Sequence, residues 1–180
     1  MARRKMLLMT AGATVLGFVA LIGLSDHSAL FAGEGENESR EALIKLLGDA
    51  KVSLQQGLAA CEQEGQPISG KFEVDEGKLQ LSVYTAKEGK FSEILVDYVT
   101  GTVAKVEPIT EGDDLVAAKA QSAVMSKSKI SLKAAVDRAV AQSTKVRAVS
   151  AIPTLVYGRP VVTIVLLDDN QLSDVQRSLD

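Results

Sequence analysis

The sequence predicts an α+β protein of two similar halves, each an amphipathic helix with an antiparallel β-sheet that the helices cover on one face. The main observation is a diverged duplication, in which the segment from Gly77 to Val99 recurs 81 positions later as Gly158 to Asp180. Each copy reads as a strand, a polar turn and a second strand, because apolar residues alternate with polar ones. A helical pattern precedes each copy, which places the two halves at residues 40 to 109 and 110 to 180.

The first 32 residues are predicted to be a signal peptide. A basic cluster, Arg3 to Lys5, precedes an apolar run from Met6 to Leu24, and Ala32 is a small residue suited to cleavage. Because the run approaches the length of about 18 residues that spans a bilayer, an uncleaved membrane anchor is the alternative. Both interpretations place the protein outside the cytoplasm, in the periplasm or another extracytoplasmic compartment.

The remaining 148 residues (180 minus 32) have a net charge of -5, from 17 basic and 22 acidic residues, which argues against nucleic acid as a partner. The single cysteine, Cys61, falls on the apolar stripe of a predicted helix and is interpreted as a core residue, with an intermolecular disulfide as the alternative. The single histidine, His27, lies in the signal segment. Its position argues against histidine-dependent catalysis and against most transition-metal sites.

In the first half, residues 33 to 39 are polar and glycine-bearing and are predicted to be a flexible tether. Apolar residues then follow at helical spacing from Leu43 to Cys61, with a break at Gly48. Ser53 and Gln56 have the spacing of a capping box, so a helix is expected to restart at Leu54. Four strands joined by tight turns follow, the last from Thr102 to Val106, which predicts antiparallel pairing.

In the second half, acidic residues at 113 and 114 predict a helix N-terminus, and Ser131 is predicted to cap a further helix. Ser53 and Ser131 are 78 positions apart, so the capped helix belongs to the repeat. Two short strands are expected at 146 to 150 and 153 to 157. The apolar run from Val161 to Leu167 is typical of a strand that is buried on both faces.

The second half carries no counterpart of the strand from Thr102 to Val106. One side of the sheet is therefore predicted to be a strand short, and the segment from Leu172 to Leu179 is predicted to be a free edge. A free edge is a template for a strand from a partner or a second copy. Leu172 and Val175 are the candidate contact residues, and Val175→Pro is the predicted way to remove an edge amide.

Asp97, Thr100 and Gly101, together with the helix start at Ser53-Leu54, resemble the PepSY domain family. In that family a helix is followed by strands, an Asp-x-x-Thr-Gly turn and a further strand. The second half resembles it through Ser131-Leu132 and the Gly158 hairpin, but no Thr-Gly turn follows there. The resemblance implies an exported, non-catalytic α+β module that binds another protein, such as a peptidase that it inhibits or regulates, and it implies no cofactor.

Two other classes of function stay open, a small-molecule or metal-binding module and a hydrolase that uses carboxylates alone. Asp113-Asp114 and Asp168-Asp169-Asn170 lack the alternating spacing of a calcium loop and are interpreted as caps or turns. Asp97 is interpreted as an acceptor of turn amides. No catalytic, metal-binding or cofactor-binding residue is therefore predicted.

Lys127, Lys129 and Lys133 form a local basic group. We interpret it as a solvated face, with contact to anionic lipid or to an acidic partner as the alternative.

Overall fold

The computed structural model describes residues 33 to 141 and 143 to 180, and within this part of the chain seven strands form one antiparallel sheet. In chain order the elements are α1 (Gly33–Leu47), α2 (Leu54–Ala60), β1 (Gln66–Asp75), β2 (Lys78–Lys87), β3 (Lys90–Val96), β4 (Val103–Ile109), α3 (Gly112–Met125), α4 (Leu132–Val140), β5 (Arg147–Val156), β6 (Arg159–Asp168) and β7 (Gln171–Ser178). The spatial order of the strands is β4-β3-β2-β1-β5-β6-β7. The predicted α+β class is confirmed.

The two hairpins that the duplication predicts occupy equivalent stretches of the chain. β1 and β5, β2 and β6, and β3 and β7 begin 81 positions apart in each case. β1 and β5 pair with each other at the middle of the sheet, where Gly70 faces Ala151 and Lys71 faces Ser150. β4 follows β3, whereas the described chain after β7 contains no further strand.

The two short helices begin where their capping residues predict. Ser53 Oγ accepts a hydrogen bond from the Gln56 amide at 3.2 Å, and the Ser53 amide donates to Gln56 Oε1 at 2.8 Å. This reciprocal pair is the predicted capping box at the start of α2. At the start of α4, Ser131 Oγ accepts from the Ala134 amide at 3.1 Å. Each serine satisfies an amide that the first helical turn leaves without a partner.

The core lies between α2, α4 and one face of the sheet. A Cβ added at Gly70 would lie 3.1 Å from Leu58 and 3.3 Å from Leu54, so α2 packs directly on the backbone of β1. α4 contacts α2 and covers β5 to β7. Val83 and Ile164, which the duplication pairs, are both fully buried. The predicted inward position of Ile164 is confirmed.

The expectation that all helices cover one face is wrong, because α3 packs on the opposite face. Ser69 Oγ donates to Gln121 Oε1 of α3 at 2.7 Å. Successive side chains of a strand point to opposite faces, so Ser69 points away from the face on which Gly70 meets α2. Helix periodicity in the sequence defines an apolar stripe but does not say which sheet face the stripe meets.

Two further expectations differ from the structure. Residues 33 to 39, expected as a tether, form the first turns of α1. Residues 147 to 156 form one strand rather than two, with Pro153 inside it. The nitrogen of Pro153, which carries no hydrogen, faces β1. Pro153 lies outside the two residue pairs that join β1 and β5, and β1 carries a bulge between Pro67 and Ser69 in this region. Proline is tolerated at such a place because no ladder hydrogen bond is lost.

β6 is buried on one face only, contrary to expectation. Val162, Ile164 and Leu166 are buried, whereas the residues between them are half-exposed. The apolar run from Val161 to Leu167 therefore did not indicate a strand that is buried on both faces.

The predicted signal segment, including His27, lies outside the described residues. Among the described residues, no helix combines the length and apolar character that crossing a membrane requires.

Candidate functional site

β7 forms one edge of the sheet in the described part of the chain, where a free edge was expected. Its only strand neighbour within the described part of the chain is β6, with which it pairs from Asp168–Gln171 to Val161–Ser178. The strand is largely exposed, with Leu172 and Val175 half-buried. A row of backbone groups on its outer side therefore faces away from the sheet.

Which backbone groups face outward follows from one hydrogen bond. The Leu179 amide donates to Pro160 O at 3.0 Å, which identifies this as a hydrogen-bonded pair. Such pairs alternate along an antiparallel ladder, so Val175 also bonds to β6 through its pair with Ile164. The outward groups then belong to the even-numbered residues from 172 to 178, including Asp174 and Gln176.

The two candidate contact residues differ in what they present. Leu172 O accepts a hydrogen bond from Arg40 of α1 at 3.4 Å, which is consistent with its outward direction and occupies that carbonyl. The Val175 amide points inward, so Val175→Pro would break the β6–β7 ladder rather than remove an edge donor. The expectation that Val175 carries an outward amide is therefore wrong. The β6–β7 turn decides which residue pairs are hydrogen-bonded, and the order of residues alone did not reveal this. Asp174 and Gln176 carry the outward amides.

At the opposite edge of the sheet, β4 contains a proline that limits pairing with a further strand. The register pairs Ser92 with Pro108 and Glu93 with Glu107. Since Ser92 also faces Thr85 across the tight β2–β3 turn, its backbone groups bond to β2, and the proline nitrogen faces outward. Pro108 thus removes one outward donor from this edge, a common way to protect an edge strand.

The turn that resembles the PepSY motif is held by its own aspartate. Asp97 Oδ1 accepts hydrogen bonds from the amides of Val99 and Thr100, each at 2.8 Å. These two amides lower the pKa of the exposed Asp97 carboxyl. The Gly101 amide donates to Asp97 O at 2.8 Å, and the positive φ of +78° at Gly101 suits glycine. The carboxylate is engaged within the turn, as expected from the sequence.

The same turn also anchors the start of α2. The carbonyl of Tyr98 accepts hydrogen bonds from the amides of Lys51 at 2.9 Å and Val52 at 3.1 Å. Equivalently placed, the carbonyl of Leu179 accepts from the Lys129 amide at 2.7 Å. The two connections thus fix the residues before α2 and before α4 to the end of the sheet.

A network of polar side chains that the sequence reading missed lies on the face of β1, β2 and β3 that α3 approaches. Lys71 Nζ lies 2.6 Å from Glu73 Oε2, and Ser82 Oγ donates to Glu73 Oε1 at 3.0 Å. Tyr84 OH donates to Glu93 Oε1 at 3.1 Å. The signal that could have found it was the alternation of polar residues with apolar ones in all three strands.

Burial perturbs two groups of this network. Burial is the main cause that raises the pKa of Glu93, and the neighbouring charge of Glu73 adds to it. Burial and the charge of Glu93 likewise raise the pKa of Tyr84. Ser82 is fully buried, so its hydroxyl is closed to a substrate. The polar side chains of this network therefore hydrogen-bond to one another. The network presents a half-exposed ion pair, Lys71 with Glu73, rather than a nucleophile.

The remaining candidates occupy structural positions. Asp113 and Asp114 lie in the first turn of α3, and Asp169 and Asn170 form a turn with φ of 42° and 66°. Burial raises the pKa of the Cys61 thiol to about 12, which disfavours the reactive thiolate. Within the described part of the chain, no cluster of three or more potential metal-ligating residues occurs.

Lys133 pairs with Asp137 at 2.7 Å one helical turn away, whereas Lys127 and Lys129 are exposed in the loop between α3 and α4.

An open depression of about 360 Å³ lies beside Asp97 and the β1–β2 turn, with Gln80 and Ala104 in its lining. Its lining includes no buried polar group left without a partner, since Gln55 Oε1 is the one such atom found in the described residues.

Comparison with protein-family models, with curated proteins and with solved structures yields no match to this chain.

Proposed function

We propose that this chain is an exported, non-catalytic protein of the cell envelope that binds another protein by strand addition at β7. The single observation that carries the proposal is the free outer side of β7, with outward amides at Asp174 and Gln176. A partner strand would complete the ladder there through backbone hydrogen bonds. A peptidase that is inhibited or regulated by the contact is the partner that the PepSY resemblance favours.

The proposal includes an origin by tandem duplication of a PepSY-like unit, with a membrane anchor or a cleaved signal in residues 1 to 32. The equal spacing of 81 residues between three pairs of strands supports two similar halves. The asymmetry of the two edges supports β7 over β4 as the binding edge. Pro108 protects the outer side of β4, whereas β7 has no proline.

The test uses a proline at an outward position of each edge. A photocrosslinking residue in place of Gln176 in the full chain, activated in intact envelopes, identifies the partner. Gln176→Pro then removes one outward amide of β7 and should reduce capture of that partner strongly while the fold persists. Val106→Pro is the matched control, because Val106 faces outward on β4 in its pair with Ile94.

Equal capture by folded Gln176→Pro and wild-type protein would contradict strand addition at β7. If a peptidase is captured, its turnover of substrate should fall when wild-type protein is added and recover with Gln176→Pro.

A further inference from the structure

The tip of the β5–β6 hairpin presents an aromatic side chain that packing does not explain. Tyr157 is 102% exposed and Leu155 is 40% exposed. Tyr157 also has a φ of +49°, a backbone conformation that favours glycine, asparagine and aspartate over a bulky residue. Because neither burial nor turn preference favours tyrosine here, the side chain is a candidate for contact with something outside the chain.

A basic loop lies at the same end of the sheet as this tip. The Lys129 amide donates to Leu179 O at 2.7 Å, and the Leu179 amide donates to Pro160 O at 3.0 Å. These two bonds join the loop between α3 and α4 to the β5–β6 hairpin through the end of β7. Ser128 Oγ adds a hydrogen bond to Leu179 O at 3.1 Å.

Cations dominate the joined segments. Lys127, Lys129 and Arg159 are exposed, and Arg177 is exposed opposite Val162. Residues 126 to 130, 155 to 160 and 177 to 180 together contain four cations and one carboxylate side chain, that of Asp180. We call Tyr157, Leu155, Lys127, Lys129 and Arg159 the tip surface.

The equivalent end of the first hairpin has the opposite character. Glu76 occupies the place of Tyr157, with nearly the same φ of +47°. The equivalent stretches, 48 to 52, 74 to 79 and 96 to 99, contain four carboxylates and only two cations, Lys51 and Lys78. The backbone geometry of such a turn therefore does not require an aromatic residue, and the aromatic side chain and the excess of cations over carboxylates distinguish the β5–β6 end.

We propose that the tip surface docks on an anionic phospholipid membrane. Tyrosine is suited to the membrane–water interface because its ring is apolar and its hydroxyl is polar. Exposed lysine and arginine side chains bind the negative surface of anionic lipids, and Leu155 adds apolar area beside the ring. Docking would hold the hairpin at the bilayer, separately from protein binding at β7.

The experiment places a single tryptophan at either hairpin tip, because the natural sequence contains none. Tyr157→Trp and the matched control Glu76→Trp are made in the full chain, so both carry the same residues 1 to 32. Each is mixed with vesicles of phosphatidylcholine, with or without phosphatidylglycerol. We expect the tryptophan emission of the Tyr157→Trp variant to shift to shorter wavelength only with phosphatidylglycerol. The tryptophan emission of the Glu76→Trp variant should stay unchanged with both vesicle types.

The basic residues are tested in the Tyr157→Trp background. Lys127→Gln with Lys129→Gln should raise the lipid concentration for the half-maximal shift roughly 25-fold, about fivefold for each lost cation. High salt should reverse the shift, because the attraction is screened. No shift with phosphatidylglycerol, or equal shifts with both vesicle types or at both tips, would overturn the proposal.

Tyr157→Asn separates docking from folding. Asparagine tolerates the positive φ, so this variant should melt about 2 °C above wild type. Vesicle contact is read locally in a Leu155→Trp background, where Tyr157→Asn should abolish the emission shift with phosphatidylglycerol. An undiminished shift in the double variant would show that the ring is not the docking group, and would also overturn the proposal.

Discussion

β1–β2–β3 and β5–β6–β7 have equal or nearly equal strand lengths, similar turns and an inward row of mainly aliphatic residues, but their other face differs in chemistry. On the first set of strands, Lys71, Glu73 and Tyr84 belong to a hydrogen-bonded network. The positions 81 residues later hold Ile152, Thr154 and Val165. The difference teaches that the inward row under α2 and α4 determines the fold, whereas the opposite face accommodates either chemistry.

Connections outside the strands differ as well. Arg147 of β5 donates to Leu47 O at 2.8 Å and to Val52 O at 3.4 Å, and its guanidinium lies 5.9 Å from the centre of the Phe72 ring. Burial lowers the pKa of this guanidinium. The equivalent residue of β1 is Gln66, which is exposed. The loop before α2 is thus held by Arg147 of the other set of strands as well as by Tyr98 of its own, whereas the loop before α4 is held by Leu179 of its own set.

The largest effect is expected where the two sets of strands are most alike. Ile164→Asp and Val83→Asp each place an unpaired carboxylate at a fully buried position, which costs several kcal/mol, on the order of the whole stability of a small domain. Both variants should lose cooperative thermal unfolding followed by circular dichroism. Thr163→Asp is the control, because Thr163 is half-exposed and points to the other face.

Cooperative melting retained in Ile164→Asp would show that the inward row does not carry the fold. Loss in one of the two variants alone would show that the two sets of strands contribute unequally to the stability of the shared core.

An intermediate effect is expected at two glycines with the same backbone conformation. Gly101 and Gly158 have φ of +78° and +79°, but a Cβ at Gly101 would lie 3.2 Å from Val52, whereas nothing lies within 4 Å at Gly158. Gly158→Ala should cost about 1 kcal/mol for the left-handed conformation alone. Gly101→Ala should cost about 1 kcal/mol more, because Val52 must also move.

Urea unfolding measures both costs. Equal free energies of unfolding for the two variants would mean that the added methyl group at position 101 is accommodated beside Val52 at no energetic cost.

The smallest effect is expected in the polar network, as a change with pH. Burial raises the pKa of Glu93 in the folded state. Between the unfolded and the folded pKa of this carboxyl, the native protein therefore binds more protons than the unfolded chain. The contribution of Glu93 to stability is therefore present below its unfolded pKa of about 4.3 and is lost as the pH rises through the folded pKa. Glu93→Gln does not titrate, so its advantage over wild type should grow from about pH 4 to about pH 7.

Thermal melting of both proteins across that range checks the sign. An advantage of Glu93→Gln that shrinks with rising pH would contradict the direction of the shift.

The sequence by itself determined the local features whose causes lie within a few residues. The capping serines at 53 and 131, the break at Gly48 and the polar turns of each hairpin all follow from short-range hydrogen bonding and backbone preference. The duplication also predicted the inward positions of Val83 and Ile164, because period-two alternation separates the two faces of a strand. These features account for the α+β class.

Only the tertiary structure decided how these elements meet. It joined β1 to β5, placed α3 on the face opposite α2, and assembled Lys71, Ser82 and Glu93 from three strands into one network. It also showed that the Val175 amide faces β6. Such facts depend on which surfaces pack together and on strand register, and both are set by long-range burial that no single stretch of the chain encodes.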